Sequence, residues 1–499
     1  MLDRLITGAK VFDGRQFLDN TNVGVSGGLV SYVGPERPEA KTVTDAGDRI
    51  LSPSFIDSHT HADFHCVDPA NDGQSAISQG VTTLVVGNCG MSATPPCPVN
   101  PILIPGDHDH NLKLEEHAQR LQRELPLDIA DLMGHGTLRL SVIGQAREAT
   151  QVEVDRMACI LDDFLTQGGL GLSVGLNYPE ALGYSQSELA ALCMILAKHG
   201  RPLTCHIRDQ GAGIYEAVQE VTSLGQQTGC GILVSHLRPI SDKFDHLTDQ
   251  ILTLIESDDN FAMDLYPYVA GFTSLEWMFQ YLFNKCPGHG QLMPTDEVDL
   301  KVRDVCIGGL SDVHILSHQT AGVAGNTIAE IAAQRQGEAG RVAQEIYLED
   351  PRCLCIYDHE STPEAVAEII THPKCMLGSD GYLFSTGFDG TCHPRSFAAM
   401  TGFLVRYVRS GKVSLEEGLA KMTSRTADYF ELKDRGEIEV GKQANLALFA
   451  LDELEERADF VDPTQSALGM HEVLLAGETI WSKNKVIAQN RLGNRTCPQ

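Results

Sequence analysis

Six side chains in this sequence are of types that bind divalent metal ions, at spacings that can bring them together. His59-Thr60-His61 closes the apolar stretch 50–58. Two residues apart at a strand end, the imidazoles project on one face. Two neutral imidazoles can share one zinc-like ion at about 2.0–2.1 Å each. Further along, Gly87-Asn-Cys89-Gly90, Thr204-Cys-His206, Val234-Ser-His236 and Gly378-Ser-Asp380-Gly381 each end an apolar run. Five nitrogen or sulfur donors and one carboxylate can hold one or two ions. The chemistry this allows is hydrolysis, because a bound divalent ion lowers the pKa of its water toward about 7. Cys89 as thiolate can bind one ion or bridge two. Asp380 is suited to orient the water, accept its proton and deliver it to a leaving nitrogen. Each residue alone is ordinary: a strand-end His packs, a buried Cys fills apolar space, and Asp-Gly turns the chain. Recurrence at five strand ends is what carries the metal reading. His65 and the acidic loop Asp107-His-Asp-His110 lack that placement and are expected to be solvated.

The elements that must position these residues alternate between strand and helix patterns. Candidate strands are 81–87, 128–133, 170–176, 202–206, 231–236, 261–266 and 374–378, and the strand before His59 makes eight. Helical patterns at 112–123, 151–167, 185–199, 214–228 and 243–257 lie between most of them. Such units imply a parallel sheet, and eight of them fit a (β/α)8 barrel of the TIM type, whose chemistry sits at the C-terminal strand ends. An open doubly wound sheet is disfavoured, since no Gly-rich phosphate fingerprint follows the first strand. Short strand-like runs at both ends of the chain predict a small β-sandwich built from both termini, 1–53 and 432–499, around a barrel at 54–431. The long gap between the seventh and eighth strands predicts an inserted subdomain, about 284–348, able to cap a pocket.

The 499 residues carry a formal charge of −29. That balance disfavours nucleic acid and anionic membranes as partners. No apolar run approaches the roughly 20 residues needed to span a bilayer, and the first residues lack a basic region followed by an apolar core. A cytoplasmic location is expected. The 14 cysteines are scattered without a Cys-x-x-Cys, so they read as reduced and mostly buried thiols.

The stretch Pro53-Ser-Phe-Ile-Asp-Ser-His-Thr-His61 resembles the opening signature of the amidohydrolase superfamily. Gly87-Asn-Cys-Gly90, Gly134-His-Gly-Thr-Leu-Arg139, Gly171 to Pro179, His206-Ile-Arg-Asp209, Ser235-His-Leu-Arg238, Tyr266-Pro-Tyr-Val-Ala-Gly271 and Gly378-Ser-Asp-Gly381 together resemble its D-aminoacylase branch, the N-acyl-D-amino-acid deacylases. The resemblance runs in order over nearly the whole chain. It implies metal-dependent hydrolysis of N-acyl-D-amino acids to a carboxylate and a free D-amino acid, with one or two Zn2+ ions and a metal-bound hydroxide as nucleophile. It assigns His59, His61, Cys89, His206, His236 and Asp380 as metal ligands, and Asp380 as general acid/base. Cyclic amidases of the superfamily carry a carboxylated lysine on the fourth strand; this strand has none, and Cys89 takes its place.

A substrate carboxylate needs cationic partners, and a guanidinium offers a planar fork. Arg238, two residues beyond His236, is one candidate; Arg395 in His-Pro-Arg and the tyrosines Tyr266 and Tyr268 are others by resemblance. Relatives often carry Lys where Arg238 stands, and two acids where Ala62-Asp63 keeps one. The alternatives are another amidohydrolase acting on a carboxylate-bearing linear or cyclic amide, of the hydantoinase or dihydropyrimidinase kind, and a barrel that has lost catalysis.

Overall fold

The computed structural model describes residues 1–63, 65–95, 125–145, 147–178, 183–351, 353–487 and 492–498. Eight strands form one parallel sheet in chain order: Phe55–Asp57, Val81–Val86, Asp128–Gly134, Gly171–Gly175, Leu203–His206, Ile232–Val234, Phe261–Leu265 and Cys375–Leu377. Every residue of these strands is buried, as expected for parallel strands covered on both faces. The sheet closes on itself. Ser58 N donates to Leu377 O at 3.1 Å, Asp380 N to His59 O at 2.8 Å and His61 N to Gly381 O at 2.8 Å. This closure joins the first and last strands just where two of the candidate site segments lie.

The connecting helices are delimited by local chemistry. Gln151–Thr166 starts at a capping box between Thr150 and Glu153, which satisfies two otherwise orphaned backbone donors. Gln186–His199 starts at the Ser185 hydroxyl and ends at Gly200 in the left-handed region, with Lys198 and His199 in its last turn. The helical pattern at 243–257 divides into a 3-10 segment, Asp242–Leu247, and an α-helix, Thr248–Glu256. The pattern at 112–123 lies outside the described residues, as does the Asp107–His110 loop.

The apolar stretch 50–58 is not one strand. Ile50–Pro53 pairs with Leu446–Phe449 and Lys10–Phe12 in a seven-stranded sheet, whereas Phe55–Asp57 pairs with Val81–Val86 in the barrel. The chain changes sheets at Ser54, beside the proline that removes a ladder donor. A four-stranded sheet of Leu2–Thr7, Asn22–Ser26, Leu29–Gly34 and Ala40–Asp45 faces the seven-stranded one over a core that includes Ile6, Val23, Leu51, Leu446 and Leu474. Both chain ends therefore build this β unit.

The insertion between the seventh and eighth barrel strands has its own antiparallel sheet, Gly271–Ser274, Leu354–Tyr357 and Val313–Ser317, with four α-helices packed on a separate core around Phe279, Val298, Ile315 and Ile346. It is broader than 284–348. Its flanking strands, 271–274 and 354–357, pair with each other.

Candidate metal centre

The ends of five strands bring the predicted donors to the C-terminal mouth of the barrel. His59 and His61 stand just past the first strand, with ring centres 5.5 Å apart and planes crossed at 69°. Cys89 follows the second strand. Its sulfur lies 3.4 Å from His59 Nε2 and 3.6 Å from His236 Nε2. His206 ends the fifth strand and its ring centre is 4.5 Å from that of His236. Asp380 follows the eighth strand, its Oδ1 3.1 Å from His61 Nε2 and 3.5 Å from His59 Nε2. Two donor groups result, His59–His61–Cys89 and Cys89–His206–His236, each with its ligand atoms within 4.8 Å of one another. They share Cys89.

The backbone at this mouth is unusual. Cys89, His236 and Asp380 have φ of 55°, 36° and 50°, a region that non-glycine residues seldom occupy and that recurs at functional sites. The Gly-Asn-Cys-Gly loop needs its glycines for contact as well as for φ. A Cβ at Gly87 would lie 2.2 Å from Leu132 O, and one at Gly90 2.8 Å from Gly175 N. Ser173 on the fourth strand pins the loop, accepting from Gly90 N at 2.9 Å and donating to Gly87 O at 2.5 Å.

Charge explains the protonation pattern. Burial pushes the Cys89 thiol up, but the imidazoles of His59, His206 and His236 outweigh it and hold the group well below the usual thiol range. Burial opposes charge on His59, yet Asp264 and Cys89 raise its pKa well above that of a free imidazole. For His61 burial is likewise overcome, by Asp380 and Cys89, and the pKa rises to about 9. Asp380 is held well below the usual carboxylate range: burial raises it, but Arg395, whose Nη2 is 2.9 Å from Oδ2, and His61 prevail. Burial and His236 push His206 down. The anions Cys89, Asp264 and Asp380 favour the protonated form of His59 and His61, and burial beside His236 favours the neutral form of His206. A divalent cation fits the same place. His206 Nε2 is buried without a hydrogen-bond partner among the described residues, and a thiolate among imidazoles is a typical zinc donor set.

Sequence reasoning missed the residue that aligns the centre. Asp264, in the seventh strand, is 1% exposed; its Oδ2 is 3.1 Å from His59 Nδ1 and its Oδ1 accepts from His236 N at 2.7 Å. A carboxylate that fixes a ligand imidazole sets its tautomer and orientation. The signal was present: Asp264 is the one charged residue of the apolar run Phe261-Ala-Met-Asp-Leu265. Asp57 also ties the site together, accepting from His59 N at 3.2 Å and Ser379 N at 2.8 Å.

The candidate substrate residues separate into two groups. Arg238, Tyr266 and Arg395 line the cavity above the centre, together with Tyr178, Trp277 and Glu360. Tyr268 does not. Its hydroxyl donates to Glu456 at 2.7 Å and its carbonyl accepts from Arg238 at 2.6 Å, so it stands behind the cavity wall. Arg238 is buried and committed: besides Tyr268 O it donates to the Tyr266 hydroxyl at 2.8 Å, to Ala270 O at 3.2 Å and to Glu360. Arg395 pairs with Asp380 through Nη2, while its Nη1 is buried with no hydrogen-bond partner among the described residues. Arg208 pairs with Glu220 and Tyr184. His65 is not solvated. It is 3% exposed, packed edge-on against Tyr382 and Phe384, because the turn after His61 folds under the segment that follows Asp380.

Residues 308–481 match the amidohydrolase family. The D-aminoacylase of Alcaligenes xylosoxydans xylosoxydans is 30% identical over 505 residues, covering 98% of this chain and 96% of that protein. The N-acyl-D-glutamate deacylase of the same organism is 31% identical over 493 residues, covering 95% and 93%. The crystal structure of N-acyl-D-glutamate deacylase from Bordetella bronchiseptica, complexed with zinc and a phosphonate inhibitor that mimics the tetrahedral intermediate, superimposes with a TM-score of 0.83 at 28% identity over 99% of each chain.

Proposed function

The chain belongs to the D-aminoacylase family of amidohydrolases, and from that premise we propose that it hydrolyses N-acyl-D-amino acids to a carboxylate and a free D-amino acid. The observation that carries this is the Cys89 sulfur shared between two imidazole pairs, with an ionised carboxylate, Asp380, at its edge. In this reading His59, His61, Cys89, His206, His236 and Asp380 would hold one or two ions. Zinc suits the mixed thiolate and imidazole set, and it is the metal of the Bordetella bronchiseptica relative. Bound there, a divalent ion supplies Lewis acidity and a water acidic enough to attack an amide at neutral pH.

The chain's own residues do the rest. Asp380 takes the proton of the attacking water and returns it to the departing nitrogen. Asp264 holds the His59 ring in place from behind. Arg395, with Nη1 uncommitted beside Asp380, receives the substrate carboxylate in a charge-assisted contact. Arg238 supports the wall instead of offering a free fork. The cyclic-amide alternative gains nothing from the fourth strand, Gly171–Gly175, which holds no lysine. The cysteines of the described residues are free thiols. Among the described residues no helix is long and apolar enough to cross a membrane.

The test is elemental analysis of the purified protein followed by assay of matched N-acetyl-D- and N-acetyl-L-amino acids. Bound zinc and release of free amine from the D-isomers, with the L-isomers inert, is the expected result. A metal-loaded protein that cleaves no member of the D-series overturns the reading.

A further inference from the structure

Glu360 has no place in the chemistry above, yet it reaches into the same cavity. It follows the strand Leu354–Tyr357, where the inserted unit returns to the barrel. Its carboxylate pairs with Arg238 and lies over Gly271, where a Cβ would come within 2.2 Å of Oε2. A glycine is needed there to let the carboxylate in. Around it the insertion supplies Phe272, Thr273 and Trp277 as the facing wall.

The charges of the cavity are paired off. Arg395 answers Asp380, and Arg238 answers Glu360. One guanidinium nitrogen, Arg395 Nη1, is left for an incoming anion, and the α-carboxylate common to every N-acyl-amino acid occupies it. A second carboxylate on the substrate side chain then faces Phe272, Trp277, the Thr273 hydroxyl and the Glu360 anion, and loses more hydration than that one hydroxyl donor restores. An uncharged side chain meets no such penalty. A side-chain ammonium meets the Glu360 carboxylate and the face of an aromatic ring.

We propose that Glu360 sets the side-chain specificity of this site, excluding acidic D-side chains and admitting uncharged and cationic ones. The inference rests on the N-acyl-D-amino-acid reading and narrows its substrate class. It predicts a preference different from that of the relatives named for D-glutamate.

The test compares N-acetyl-D-glutamate, N-acetyl-D-leucine and N-acetyl-D-lysine in the zinc-loaded wild type and in Glu360→Gln. Wild type is expected to favour lysine and leucine over glutamate by about tenfold or more in kcat/KM. Glu360→Gln uncovers the Arg238 charge, so the glutamate-to-lysine ratio should rise by about tenfold or more, chiefly through KM. A ratio is insensitive to the amount of folded enzyme, and Glu360→Asp, which keeps the charge, should hold it near the wild-type value. A wild type that prefers N-acetyl-D-glutamate, or a ratio unmoved in Glu360→Gln, overturns the proposal. Calorimetric binding of the same three compounds reports the order without turnover. If that order holds while none is cleaved, the hydrolytic reading fails and the role of Glu360 stands.

Discussion

Two strand ends of the barrel each bury a histidine against a carboxylate, and they could hardly differ more. At the first, His59 Nδ1 lies 3.1 Å from Asp264. At the third, His135 Nε2 lies 2.8 Å from Glu188, and Arg139 grips the same carboxylate. Both imidazoles are fully buried. The third-strand cluster is closed: one anion, one guanidinium, and a His135 that burial pushes below its usual pKa despite Glu188. The first-strand cluster is open. Cys89 and Asp380 add negative charge on the far side of His59, and the pKa values of His59 and His61 rise in response. Burial and a carboxylate partner therefore do not mark a metal ligand. Unbalanced charge with several donors aimed at one point does.

That contrast can be broken, beginning with its largest consequence. Asp380→Asn should retain the fold and the ion of the Cys89–His206–His236 group, which does not include it, while kcat falls about 10^2–10^4-fold; near-normal turnover would assign the proton to another group. Glu188→Gln should do the reverse, leaving zinc content unchanged but stripping Arg139 of its partner, with a cost of about 3–5 kcal/mol in denaturant unfolding. Loss of zinc in that variant, at full stability, would erase the distinction between the clusters. Asp264→Asn should weaken zinc binding about 10–100-fold by freeing the His59 ring, as read by competition with a chelator. An unchanged affinity would make Asp264 a packing residue.

The smallest effect is in pH. Without metal, folded His61 keeps its proton up to about 9, while the unfolded imidazole loses it near 6.5. The folded state thus binds more protons over that interval, and metal-free stability should fall as pH rises through it. Zinc affinity should rise over the same interval, because binding needs neutral imidazoles and expels the proton. Calorimetry in buffers of different ionisation enthalpy measures that release. Zinc uptake with no proton release near neutrality would show that the imidazoles are already neutral.

The barrel was readable because each strand is an apolar run flanked by turn residues, and the donors sit at the ends of those runs. Cys89 was readable from the glycines around it, whose need is now visible in the close approach of Leu132 O and Gly175 N. The sheet change at Ser54 was not readable, because both halves of 50–58 are equally apolar and only their partners differ. Tyr266 and Tyr268 look equivalent in a Tyr-Pro-Tyr turn, yet one lines the cavity and the other hydrogen-bonds Glu456 behind it. His65 carries no local mark of burial; the aromatics that cover it are more than 300 positions away.

The sequence by itself determined the kind of chemistry, since imidazole, thiolate and carboxylate groups at strand ends of a barrel have few other uses. Only the tertiary structure decided how those groups are charged and which cations are free. Arg238 and Arg395 read alike as letters; one is spent on Glu360 and three other acceptors, and the other keeps a nitrogen open beside Asp380. The physical reason is that Coulomb energy and desolvation depend on distance in space, and closing the sheet brings together residues hundreds of positions apart.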